Sequence, residues 1–247
     1  MKSEKLFAVV FVFTLMVTGQ AVGACSNATL QGNYGFTIGG ANSSNQPAAT
    51  VGQITADGKG GLAGFETISD DGVITENVST TGNYSIISNC TGTASITPSG
   101  GSTSNYGLVL DSAGKQIELV ETDKGFTEAG YGLAQVSANC SVAGLKGTYG
   151  SHGAGFNASL TPYSVVSQVT LDGAGNFAGT QTGSVGGTIF SDKIAGTYSV
   201  NANCIGTSTG TGKHPSHSYF VVVNGGRSAL QISADSDLIL TFSVEKR

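Results

Sequence analysis

The sequence predicts an all-β protein of two tandem antiparallel modules, each an eight-stranded up-and-down, calycin-like β-barrel. Three observations carry this. The chain begins the same phrase twice, "CSNATLQGNYGF" from Cys25 and "CSVAGLKGTYGS" from Cys140. Apolar and polar residues alternate with a period of two, and no helical period follows the first two dozen residues. Turn dipeptides such as Asp-Gly and Asn-Gly separate the alternating runs. A meander of eight such strands can close on itself and remove its edges. Eight strands enclose an interior that side chains fill or that one small ligand occupies. Small β-sandwiches are the alternative.

The first element reads as an address. Lys2 and Lys5 flank a short charged start, an apolar run follows from Leu6 to Thr18, and small residues lead to Ala24. A basic start, an apolar middle and a small-residue exit describe a secretory signal peptide over residues 1–24. The run is shorter than the roughly 20 residues that span a bilayer. No second apolar segment follows, so no transmembrane helix is expected after cleavage, and the mature chain is expected to be secreted or periplasmic. The stretch "VGAC" also resembles a lipobox, in which Cys25 would carry a lipid. Cys140, its counterpart deep inside the mature chain, argues instead that this cysteine is a disulfide partner.

The remaining residues divide into module 1 (25–139) and module 2 (140–247). Gly is abundant (38 of 247 residues), Trp is absent and charged residues make up 11%. Low charge and many turn residues suit an extracellular all-β protein. A net charge of −5 gives no support for nucleic-acid binding, which needs clustered Lys and Arg. Module 1 holds ten acidic side chains against three Lys, and module 2 holds five against six basic ones. This imbalance reads as drift between solvated surfaces; its functional reading is that the halves face different partners, or each other.

The repeat runs the length of the modules. "VGQITADGKGGLAG" from Val51 matches "VSQVTLDGAGNFAG" from Val166, and "GNYSIISNCTGTASIT" from Gly82 matches "GTYSVNANCIGTSTGT" from Gly196. Tyr106 before "GLVLD" then falls against Tyr219 before "FVVVN". Units this long are duplicated domains and not a solenoid, whose repeats run about 20–50 residues. The four cysteines obey the repeat and allow three pairings. Cys25–Cys90 with Cys140–Cys204 keeps each module self-contained; Cys25–Cys140 with Cys90–Cys204 ranks second. A zinc site is disfavoured, because no Cys-x-x-Cys or Cys/His spacing occurs.

Within a module the strands declare themselves. "DLILTFSVE" sets Leu238, Leu240, Phe242 and Val244 on one face. "NYGLVLD" groups Tyr106, Leu108 and Leu110, and "HSYFVVVN" groups Tyr219, Val221 and Val223. Asp57 and Asp172, each before a Gly, read as hairpin caps that accept backbone N–H groups, rather than as acid–base groups. An outer-membrane barrel is not expected, since the strands are short and aromatic girdles are missing.

Each module opens Cys-Ser, continues through Leu30, Gly32, Tyr34 and Gly35 (Leu145, Gly147, Tyr149 and Gly150 in the second), and adds a D-G-x-G hairpin from Asp57 or Asp172. Gly-x-Tyr-Ser and Asn-Cys-x-Gly-Thr follow. This pattern resembles exported bacterial proteins built from one or more such modules, a group that brings no function with it. The Gly-x-aromatic first strand after a Cys is also similar to avidin-like and lipocalin-like barrels. Avidin-type sites surround biotin with Trp, which is absent, and "GFTIGG" after Tyr34 lacks the polar side chains that would face biotin. Biotin binding is not implied.

Candidate chemistry is sparse. His152, His214 and His217 all lie in module 2, and "KHPSH" makes His214 and His217 weak metal candidates beside the plainer reading of a solvated loop. "SDDG" near Glu76 lacks the ligand spacing of a calcium loop. No G-x-S-x-G or H-E-x-x-H motif occurs, and no cofactor is implied. Tyr34, Tyr84, Tyr149 and Tyr198 recur by the repeat, either to line a cavity or to fill a barrel end. The leading expectation is a non-catalytic exported binding protein for a small apolar or amphipathic ligand or a surface partner, with a cavity at similar positions in both copies. The alternatives are a structural envelope or matrix protein with filled barrels, and a barrel isomerase or cyclase with His152 near His214 or His217.

Overall fold

A computed structural model describes residues 24–136, 140–211 and 215–247. The signal-peptide reading and His214 therefore fall outside the described residues, apart from Ala24. The first eight strands are β1 (Gln31–Ala41), β2 (Pro47–Asp57), β3 (Gly61–Asp70), β4 (Val73–Ile86), β5 (Thr91–Pro98), β6 (Ser104–Leu110), β7 (Gln116–Glu121) and β8 (Thr127–Ala134). The second eight are β9 (Gly147–Asn157), β10 (Pro162–Leu171), β11 (Asn176–Val185), β12 (Thr188–Val200), β13 (Ile205–Thr211), β14 (Ser216–Val223), β15 (Ser228–Ser233) and β16 (Leu238–Lys246). Every neighbouring pair is antiparallel. β1 pairs with both β2 and β8, and β9 with both β10 and β16, so each set closes into a barrel. Closure gives each of these strands a partner on both sides.

One end of each barrel is built alike. A short 3-10 turn (Asn27–Thr29; Val142–Leu145) precedes the first strand and drops Leu30 or Leu145 into the opening. Disulfides Cys25–Cys90 and Cys140–Cys204 staple these turns to the loop after β4 and β12. Each closes a loop of about 65 residues, worth roughly 4 kcal/mol in the chain-entropy model. Cys90 and Cys204 both adopt a left-handed backbone, φ +66° and +68°. The hairpin aspartates cap as their sequence predicts: Asp57 Oδ1 accepts the N–H groups of Lys59, Gly60 and Gly61, and Asp172 Oδ1 those of Ala174 and Asn176. The backbone bonds hold the Asp57 carboxyl below the usual carboxylate range; the Asn176 side-chain amide, donating to Oδ2, and then the backbone bonds do the same for Asp172.

The register corrects one alignment. Leu110 N–H donates to the Cys90 carbonyl and Val222 N–H to the Cys204 carbonyl, so Leu110 and Val222 are equivalent. Counting back, Tyr106 corresponds to Ser218, and Tyr219 to Gly107. Tyr106 points into barrel 1, whereas Tyr219 points out of barrel 2. A one-residue slip in a strand carries a side chain to the opposite face, which sequence matching of two tyrosines could not detect.

The barrels meet along an apolar seam. Ala49 and Val51 of β2 pack with Val221 and Val223 of β14, Leu230 and Ile232 of β15, and Ile239 of β16, joined by Tyr131 and Leu133 of β8 and by Tyr219. Leu230 and Ile232 are 0% exposed, although they face outward from their own barrel. Gly35 makes the approach possible: a Cβ there would lie 2.6 Å from Val223 Cγ1. Gln135 spans the seam, donating through Nε2 to the Val222 carbonyl at 2.9 Å and accepting from Gln53.

Candidate functional site

The two lumens differ. In barrel 1 the inward side chains form one core running from Leu30 and Tyr34 through Phe36, Ile38, Ile54, Leu62, Ile96, Tyr106, Leu108 and Ile117. In barrel 2 the inward residues surround a cavity of ≈ 210 Å³. Many of them, including Tyr163, Val169, Phe177, Gln181 and Ile194, keep partial exposure although they point inward.

Substitution at matched positions explains the space. With Tyr34 set against Tyr149, Phe36 becomes Ser151 and Ile38 becomes Gly153. With Leu110 set against Val222, Tyr106 becomes Ser218. Three large core side chains are thus replaced by small ones. The aromatic rings that remain lie against the wall. A Cβ on Gly153 would lie 2.3 Å from the Phe242 ring, and one on Gly206 would lie 2.2 Å from the Phe220 ring. Glycine on the neighbouring strand lets each ring lie flat and leaves the centre open.

The lining is apolar with a polar stripe. Val165, Val169, Phe177, Ile194, Phe220, Leu240 and Phe242 supply the apolar surface. Ser151, Ser167 and Gln181 sit directly opposite one another across β9, β10 and β11, with a 2.5 Å hydrogen bond between Ser151 and Ser167. Ser208 and Ser218 form a second hydroxyl pair at 2.5 Å. Among the described residues no charged side chain lines this cavity.

The recurrent tyrosines close the stapled ends. Tyr149 and Tyr198 border the cavity and donate to the carbonyls of Gly226 (3.0 Å) and Val142 (3.2 Å). Tyr34 and Tyr84 sit in the barrel 1 core and donate to Gly114 and Leu30, both at 2.6 Å. The two described histidines, His152 and His217, stand apart from the lumen. His152 is exposed on β9, opposite Val166 and Ser243. His217, 58% exposed on β14, pairs through Nδ1 with Asp235 Oδ1 at 2.8 Å. β15 and β16 separate the two. Among the described residues no group of three or more His, Cys, Asp or Glu is arranged to hold a metal ion.

Sequence reasoning missed a titratable group in the other barrel. Glu66, Glu121 and Glu128 project into barrel 1 and are 7, 7 and 8% exposed. Burial pushes Glu66 up to about 7; burial, with Glu121 and Asp70 adding to it, takes Glu128 to about 7, and Glu121 is also raised. Their counterparts in barrel 2 are Gln181, Ser233 and Leu240. The inward parity of each strand was the missing signal.

No protein-family model matches the chain, and no curated protein does. Solved structures similar to it include the following two. Kievitone hydratase from Nectria haematococca is 7% identical with a TM-score of 0.26, over 92% of this chain and 94% of that one. A protein of unknown function from the DUF3598 family, from Nostoc punctiforme, is 13% identical with a TM-score of 0.26, over 89% and 96%. At these scores neither neighbour informs the site. The two disulfides are consistent with an extracellular or periplasmic location. No helix among the described residues is long and apolar enough to cross a membrane.

Proposed function

We propose that this is an exported, non-catalytic binding protein that holds one small amphipathic molecule inside barrel 2. The observation that carries the reading is the ≈ 210 Å³ lumen, placed where the same fold in barrel 1 is packed. An apolar cavity of about 150 Å³ takes a benzene-sized guest, and drug-sized sites run from about 300 Å³ upward. The ligand class is therefore a neutral molecule of one or two rings. Its flat body lies against Phe220, Phe242 and Phe177, and its polar edge meets Ser151, Ser167 and Gln181. Among the described residues the lining carries no charged group, which supports holding over acid–base chemistry.

The test returns barrel 1 residues to the lumen. Ser151→Phe with Ser218→Tyr should leave the far-ultraviolet circular dichroism unchanged and weaken binding of 2-naphthol, a neutral two-ring probe, by at least ~10-fold, since two rings replace the guest's volume. Unchanged affinity in the filled, folded variant overturns the reading. Solvent extraction and mass spectrometry of the wild-type protein would then name the natural ligand.

A further inference from the structure

The carboxyl group in barrel 1 has no part in ligand holding, yet its placement is specific. Glu66 on β3 stands opposite Gly52 and Val78, Glu121 on β7 opposite Tyr106, and Glu128 on β8 opposite Gly40. All three lie toward the end away from the disulfide. Tyr106 links them: its hydroxyl is raised first by burial, then by the charges of Glu121, Glu66 and Glu128.

The charged neighbours are also acidic. Asp70 at the end of β3 acts on Glu128, and Asp123 beyond β7 acts on Glu121. Inward neighbours on the remaining strands are uncharged: Ile38 and Gly40 on β1, Thr50 and Gly52 on β2, Val78 and Thr80 on β4, Ile96 on β5, Ser104 on β6 and Gly130 on β8. Among the described residues no Lys, Arg or His acts on the three glutamates. Two polar atoms here, Glu121 Oε1 and Thr80 Oγ1, are buried without a hydrogen-bond partner. A register shift between Glu66 and Ile68 interrupts the β3–β4 ladder beside Glu66; barrel 2 pairs β11 and β12 without one.

We propose that Glu66, Glu121 and Glu128 form a proton-operated latch on the far end of barrel 1. Protonated, they pack as neutral core and hold β3, β7 and β8 together. Ionised, each is a buried charge with no cation beside it among the described residues, Glu121 acts on Glu128, and that end of the barrel opens. The seam senses the change, because β8 carries Glu128 and, three residues on, Tyr131 against barrel 2.

The sign follows from linkage. A carboxyl that holds its proton more tightly when folded stabilises the fold fully below its unfolded value near 4.5, and that stability is lost as pH rises through about 7. Barrel 1 is therefore tightest in acid and loosest above neutrality.

Hydrogen exchange of the full mature chain, corrected for intrinsic rates, reads the opening. Between pH 5.5 and 8.0 the opening constant over residues 61–70 and 116–134 should rise about 30-fold for each carboxyl with a folded value near 7. The rise should vanish in Glu66→Gln/Glu121→Gln/Glu128→Gln and shrink in Glu128→Gln alone, which serves if the triple variant does not fold. A pH-independent opening constant, a rise equal to that of β9–β16, or a rise that survives Glu128→Gln undiminished overturns the proposal.

Discussion

Barrel 1 and barrel 2 share a topology, a staple, a plug and two hairpin caps, yet one is packed around buried acids and the other is hollow. The shared parts are backbone devices: the disulfide, the left-handed Cys90 and Cys204, and the Asp57 and Asp172 turns. The unshared parts are inward side chains. A closed barrel wall satisfies its own hydrogen bonds whatever fills it, so the interior can diverge while the wall persists. One copy keeps a packed core and the other encloses an open lumen.

The two copies also differ at the seam. Leu230 and Val223 of barrel 2 are buried in it, while their barrel 1 counterparts are Glu118 and Asp111. The same contact made through the matching face of barrel 1 would bury these acids.

The largest expected effect lies at that seam. Leu230→Glu, which gives barrel 2 the barrel 1 residue, should cost about 5 kcal/mol by removing buried apolar contact and burying a carboxylate. Denaturant unfolding should then show two transitions in place of one; a single transition at an unchanged midpoint would mean that the seam does not couple the barrels. Next come the matched cores. Phe36→Ala should cost about 4 kcal/mol, as a fully packed ring does. Phe242→Ala should cost about half of that, because the ring already faces open space. Equal losses in calorimetry would show that barrel 2 is packed in solution. Smallest is the pair of turns: Asp57→Ala and Asp172→Ala should lower the melting temperature slightly and equally, and unequal losses would place part of the divergence in the backbone.

Much of this was legible in the residues. The repeated phrase and the alternation give two modules of eight strands, and the cysteine spacing favours pairing within each module. The candidate site was legible only in part. Tyr149 and Tyr198 border the lumen, but Ser151, Gly153 and Ser218 carry no chemical signal, and what they signify is the absence of Phe36, Ile38 and Tyr106 from matching positions. Glu66, Glu121 and Glu128 look like ordinary surface acids in "GFETISD" and "VETDKGFTEAG", since alternation alone does not say which parity faces inward.

The duplication, the strand content, the turn chemistry and the favoured staples are written in residues near one another along the chain. The tertiary structure alone decided closure, the true register of Tyr106 and Tyr219, the apolar seam, the hollow lumen and the buried acids. Each of these depends on which face of a strand meets which distant neighbour, and a period of two leaves that choice open until the barrel closes.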